Sequence, residues 1–188
     1  MKRHYKLIVD FSLPGEEKKW EIMTDGVMGG ISQSQMFITS NKTVIFHGEV
    51  SLENYGGFAS IRTRPQEYQL DGFVGISLRV KGDGKTYRLR LRTDDEYEGV
   101  AYQAGFATEA ERWITVHLAF NEFAPVFRGR AVPEAPELEP GHIRRIGFMI
   151  ADKQEGPFTL EIDWVKAYTS GINQSIHTIL CLLAYMPF

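Results

Sequence analysis

"FVGISLRVKGDGKTYRLRLR", residues 73–92, carries the pattern that decides the fold. Val74, Ile76, Leu78 and Val80 alternate with Phe73, Gly75, Ser77 and Arg79. Beyond Gly82-Asp83-Gly84, Tyr87, Leu89 and Leu91 alternate with Arg88, Arg90 and Arg92. Successive side chains of a β-strand leave on opposite faces, so each run turns one face to a core and one to solvent. The Gly-Asp-Gly between the two runs reads as a hairpin connection.

The same period extends outward in both directions. Tyr5, Leu7, Val9 and Phe11 form one apolar face; Val100, Tyr102, Ala104 and Phe106 form another; Phe158, Leu160, Ile162 and Trp164 a third. Ser40-Asn41-Lys42, Asp71-Gly72 and Gly156-Pro157 supply turn chemistry between runs. No amphipathic helix of about ten residues is legible before residue 170. Short strands separated by turns, with no helices between them, predict an all-β fold, an antiparallel β-sandwich or jelly roll. The proline-rich stretch FAPVFRGRAVPEAPELEPG, 123–141, reads as a long, extended surface loop.

Composition narrows the function. The chain has 188 residues, enough for one domain with a proper core, and 43% hydrophobic with 24% charged residues is the balance of a globular protein. Its 21 basic and 24 acidic residues leave a net charge of −3, which argues against nucleic acid as the main partner. The one cysteine, Cys181, excludes an intramolecular disulfide and a C-x-x-C metal or redox pair. The N-terminus lacks the apolar core of a secretory signal, and the apolar segment 176–188 is shorter than the roughly 20 residues that cross a bilayer. A cytoplasmic protein without a transmembrane segment is expected.

Chemical signatures are sparse. Gly29-Gly30 is followed by Ile31-Ser32 without the lysine of a phosphate-binding loop, and no βαβ unit surrounds it. The bland reading of Gly26, Gly29 and Gly30 is a tight corner, with Trp20 and Met28 plugging the sandwich end. No G-x-S-x-G occurs, and His4, His47, His117, His142 and His177 stand singly without metal-pair spacing. Asp94, Asp95, Glu96 and Glu98 could hold Ca²⁺, but a solvated acidic turn is commoner. The Arg88/Arg90/Arg92 stripe could contact an anionic ligand or pair with Glu161 and Asp163, and cross-strand pairing is the ordinary outcome. Asn54 and Tyr55, Ser60 with Arg62, and Phe123 and Phe127 beside Arg128 and Arg130 suit a polar ring or a protein loop equally well.

Longer motifs go further. Trp20, then Asp25-Gly26-Val27-Met28-Gly29-Gly30-x-Ser32-x-Ser34, then Gly48-x-Val50-Ser51-Leu52-Glu53-Asn54-x-Gly56-Gly57-Phe58-Ala59-Ser60-x-Arg62 resembles the complex I intermediate-associated protein family. This is the thirty-kilodalton assembly-factor family of NADH:ubiquinone oxidoreductase, and the chain resembles a bacterial-type member. The likeness continues through 80–92, 102–106, Trp113, 120–130, 146–150 and 156–162, covering about residues 8–168. It implies a galactose-binding-domain-like jelly roll over 1–168, followed by an apolar tail, 169–188, outside the pattern and open to self-association. It further implies a non-enzymatic assembly chaperone acting through protein contacts, with respiratory-complex subunits as partners and no cofactor or metal. A carbohydrate-binding module is the alternative. A shared groove is expected to gather Trp20, Asp25, Asn54, Arg62, Phe127, Arg128 and Arg130, with Arg62 as the ion-pair partner of Asp25.

Overall fold

Alternating runs become strands wherever their apolar faces find a second sheet to cover them. The computed structural model describes residues 3–96 and 99–171. In chain order its strands are β1 (Tyr5–Asp10), β2 (Trp20–Thr24), β3 (Gln33–Ile38), β4 (Val44–Val50), β5 (Ala59–Thr63), β6 (Gly75–Lys81) and β7 (Thr86–Arg92). They continue as β8 (Ala101–Ala107), β9 (Trp113–Ala119), β10 (Ala124–Phe127), β11 (Arg130–Ala131), β12 (Arg145–Ile150) and β13 (Gly156–Tyr168). Short 3-10 turns are the only helical pieces among the described residues.

The strands form two antiparallel sheets, as the alternation predicts. One runs β3-β4-β13-β6-β9, with β1 also paired to β13; the other runs β11-β10-β8-β7-β12-β5-β2. β13 is the spine of the first sheet. β6 pairs with its residues 161–168 along one edge, while β4 (156–162) and β1 (164–168) share the other edge end to end. Phe46, Leu160, Ile162, Leu78 and Ile76 from this sheet meet Ile61, Leu89, Leu91, Ile146 and Phe148 from the other, all fully buried. This two-layer core accounts for the period-two pattern.

Several sequence expectations change. Gly82-Asp83-Gly84 is not a hairpin: it carries the chain from β6 in one sheet to β7 in the other. Asp83 pins that crossing by accepting from Tyr87 Oη at 3.1 Å on one side and from the Thr159 amide at 2.9 Å on the other. Alternation reports which face is buried, not which strand is the neighbour, so the two connections look alike in sequence.

Bulges account for two further departures. Pairing between β13 and β6 shifts at Asp163, which returns Val165 and Ala167 to the core and turns Trp164 out of it. Lys166 Nζ then lies 4.0 Å from the Trp164 ring centroid. A register shift between Leu7 and Val9 likewise leaves Tyr5 and Leu7 exposed while Val9 and Phe11 are buried.

The stretch 123–141 is not loop throughout. It holds β10 and β11, joined by Arg128 (φ 47°) and Gly129 (φ 77°), two positive φ angles in succession as a type I′ turn requires. Residues 172–188 of the expected tail, with His177 and Cys181, lie outside the described residues, as do Tyr97 and Glu98 of the acidic turn.

Candidate functional site

The DGVMGG corner begins where Thr24 ends β2 in an extended conformation and its Oγ1 accepts from the Gly26 amide at 3.4 Å. Residues Asp25–Met28 make one 3-10 turn, which Gly29 closes at φ 90°. Asp25 itself is wholly buried. Its carboxylate accepts from the Ser32 amide (3.0 Å), the Gly57 amide (2.7 Å) and the Phe58 amide (3.2 Å), and from the Ser32 hydroxyl in a short hydrogen bond. Ser32 Oγ in turn accepts from the Ser51 amide at 3.0 Å. One carboxylate thus ties the 25–32 loop to the 51–58 loop.

Electrostatics and packing agree on this knot. Burial would raise the Asp25 pKa, but the Ser32 hydroxyl and the Gly57, Phe58 and Ser32 amides outweigh it and hold the carboxyl below its ordinary value. A Cβ on Gly30 would stand 2.4 Å from the Asp25 carboxyl carbon, and one on Gly56 would stand 2.7 Å from Oδ2. The glycines are there because the carboxylate occupies their side-chain space.

What the knot presents is apolar. Val27 is 65% exposed, Met28 62% and Tyr55 99%, with Ile31 and Leu52 also exposed. Met28 therefore does not plug the sandwich end. Asn54 and Tyr55 both have positive φ, at 54° and 61°, and both side chains lie in solvent.

The residues expected to share a groove are dispersed. Trp20 is buried between Phe11 and Phe148, with ring centroids 5.7 and 6.3 Å away, because its place in β2 points inward. Asp25 does not pair with Arg62: the hydrogen bonds from Ser32, Gly57 and Phe58 hold its carboxylate, and Arg62 Nε lies 3.5 Å from Glu21 Oε2 instead. Phe127, Arg128 and Arg130 sit at the far end of the seven-stranded sheet, with β8, β7 and β12 between β10 and β5. At about 4.8 Å per strand that is roughly 19 Å from Arg62. There, Phe127 and Arg130 pair across the β10–β11 hairpin, and the Arg128 guanidinium lies 5.3 Å from the Phe127 ring centroid.

The arginine stripe also finds other partners than Glu161 and Asp163, which belong to the opposite sheet and pair with Lys81 (2.8 Å) and Arg79 (2.5 Å). Arg88 pairs with Asp152, and Arg92 with Asp94 at 2.8 Å. Asp95 of the acidic turn bonds Arg144 Nε at 2.7 Å. Sequence reasoning passed over Ser32 and the Gly57 and Phe58 amides as the partners of Asp25. Two loops far apart in the chain meet there, and no local pattern announces it. It also passed over Arg145, which the alternation of Ile146, Phe148 and Ile150 into the core does place on the outer face beside the stripe.

Comparison with known proteins completes the description. The family described as Complex I intermediate-associated protein 30 matches residues 9–162. Complex I intermediate-associated protein 30, mitochondrial, of Drosophila melanogaster is 27% identical over 185 aligned positions, covering 85% of this chain and 61% of that protein. The protein of the same name from Mus musculus is 28% identical over 173 positions, covering 80% of this chain and 52% of that one. The chain therefore spans about half to three-fifths of the length of these relatives. Among solved structures, the family 11 carbohydrate-binding module of the cellulosomal cellulase Lic26A-Cel5E of Clostridium thermocellum has a TM-score of 0.68 at 17% identity, covering 87% of this chain and 94% of that chain. The agarase AgWH50C has a TM-score of 0.59 at 8% identity, covering 88% of this chain and 24% of that one. At such identities the likeness shows a shared β-sandwich fold.

Proposed function

The chain belongs to the complex I intermediate-associated protein 30 family, and from that premise we propose a non-enzymatic role in assembling a respiratory complex, through direct contacts with its subunits. The observation that carries the contact surface is the Asp25 knot, which holds Val27, Met28, Ile31, Leu52 and Tyr55 in water on two mutually fastened loops. Apolar side chains on a rigid support suit a protein interface, because little conformational entropy is lost when a partner covers them. The exposed β10–β11 hairpin, with Phe127, Arg128 and Arg130, is a second contact element of this reading, on another edge of the molecule.

The glycan alternative is supported by the fold likeness alone. The outward positions of the central strands β5, β12 and β7 are Ser60, Arg62, Arg145, Gly147, Met149, Arg88, Arg90 and Arg92. None of these is the aromatic ring on which a sugar face stacks. The cytoplasmic placement expected from the sequence belongs to the same proposal. No helix among the described residues is long and apolar enough to cross a membrane, and the two animal relatives are named as mitochondrial.

An affinity pull-down from the native host tests the reading, with three baits: wild type, Val27→Ser plus Met28→Ser plus Tyr55→Ser, and Arg128→Ala plus Arg130→Ala. Wild type is expected to recover complex I subunits, and the loop variant to recover about tenfold less, the scale of one lost hot spot. Its folding should be little changed, since the replaced side chains are exposed. Loss with the hairpin variant alone would move the contact to the opposite edge of the sheet. A wild-type bait that brings down no complex I subunit would overturn the assembly role itself.

A further inference from the structure

Arginines converge on the outer face of the seven-stranded sheet. The register sets them in rows: Glu21 beside Arg62, Arg62 beside Gly147, Gly147 beside Arg90, and Arg90 beside Gln103. One step along the strands, Arg145 stands beside Arg92. A Cβ on Gly147 would stand 2.7 Å from the Ile61 carbonyl oxygen, so β5 and β12 approach closely there, and a recess of about 120 Å³ lies over this position. Arg62, Arg90, Arg92, Arg145 and Ser60 line it.

Like charges set side by side on a sheet repel, and Arg92 meets this with Asp94 at 2.8 Å. Glu21 is shared: its oxygens lie 3.5 Å from Arg62 Nε, 3.7 Å from Arg64 Nε and 3.5 Å from Arg145 Nη1. Arg90 has no carboxylate within 4.0 Å among the described residues, and its Nη1 donates only to the weak acceptor Met149 Sδ at 3.5 Å. The Nε atoms of Arg90 and Arg145 are buried and make no hydrogen bond among the described residues, although Arg145 Nη2 donates to the Asp95 carbonyl at 3.2 Å. Burial, with Arg92, Arg88 and Arg62 nearby, pushes the Arg90 pKa down to about 10, the direction expected of a cation short of counter-charge. Buried donors of this kind call for an acceptor, and an ordered water or a bound anion can supply one.

We infer that the recess over Gly147 is a binding site for one phosphate group, free or as a small phosphomonoester, held by Arg90 and Arg145. The size fits. At about 30 Å³ per water the recess has the room of roughly four waters, enough for a single tetrahedral oxyanion. The geometry fits as well, since guanidinium groups arriving from two adjacent strands offer N–H donors to several oxygens of one tetrahedral anion. A planar carboxylate would satisfy fewer of them. Arg90 and Arg145 belong to neither the exposed loop residues nor the hairpin proposed to contact complex I, so either proposal can fail while the other stands.

The test is calorimetric titration of the full chain with inorganic phosphate, and with acetate as the carboxylate probe. Saturable phosphate binding at a single site is expected. Affinity should fall about tenfold or more in Arg90→Met and in Arg145→Met, the scale of one charge-assisted bidentate contact, and stay unchanged in Arg112→Ala. Arg112 is an exposed arginine paired with Glu109. Arg90→Met should also be at least as stable as wild type without phosphate, because an apolar chain replaces an uncompensated buried charge. An NMR titration of the wild-type arginine Nε–Hε signals serves if a variant does not fold: Arg90 and Arg145 should move together and saturate. Equal affinity in Arg90→Met and wild type, acetate binding as tight as phosphate, or unmoved Nε–Hε signals would each overturn the inference.

Discussion

Replacing Asp25 with Ala is expected to cost about 3–5 kcal/mol of folding stability, the largest polar effect in the molecule. The substitution strands the Ser32, Gly57 and Phe58 amides and the Ser32 hydroxyl together. Each buried donor left unsatisfied costs about 1–3 kcal/mol, less what water recovers by entering the vacated space. In a domain of this size the melting temperature should drop by about 10 °C. Asn at this position keeps the shape but offers one acceptor oxygen where the carboxylate offers two, so a loss of about 2 kcal/mol should remain.

The same residue makes an acid-stability prediction. The folded-state pKa of Asp25 lies below its ordinary value of 3.8. Its contribution is therefore complete above the unfolded value and is lost as pH falls from about 3.8 through the folded value. Urea midpoints of wild type and Asp25→Asn should converge over that interval. Curves that stay parallel below pH 4 would show that the ionised carboxylate does not hold the knot. Asp10, Asp95 and Glu161 also have lowered pKa values, so the difference between the two proteins is the readout rather than the wild-type curve alone.

Trp20→Ala should cost about 3–5 kcal/mol as well, through packing rather than polarity. The indole is buried against Phe11 and Phe148, and truncation leaves a cavity that β-sheet neighbours cannot close. Trp20→Phe keeps most of the apolar contact and releases the indole N–H, which has no hydrogen-bond partner among the described residues, so it should cost clearly less. Denaturant midpoints measure both. If Trp20→Ala folded within about 1 kcal/mol of wild type yet failed to recover complex I subunits, Trp20 would be a contact residue and the core assignment would be mistaken.

Asp25 and Trp20 also show how far the chain can be read before it folds. Both stand out in the same short stretch, and neither serves the shared groove expected of it. Trp20 is in phase with Ile22 and Thr24 of a strand whose inner end the core covers; the sequence offers no way to tell a plug from a platform. Asp25 suggests a salt bridge because Arg62 shares its motif, whereas backbone amides 32 and 33 residues away satisfy it first. Phe127, Arg128 and Arg130 resemble a continuation of the same cluster, until strand order places them across the sheet.

By itself, the sequence determined the β-sandwich, the turn positions, the family and the absence of helix-forming periodicity over the described residues. Those properties follow from side-chain alternation and from glycine and aspartate chemistry, which act between residues close in the chain. Tertiary structure alone decided that Gly82–Gly84 crosses between sheets, that Asp163 breaks the phase of β13, and that Asp25 fastens two distant loops. It also decided that arginines drawn from β5, β7 and β12 line one recess. Each of these depends on which strand lies beside which, a choice set by the packing of the whole core and invisible to any single strand.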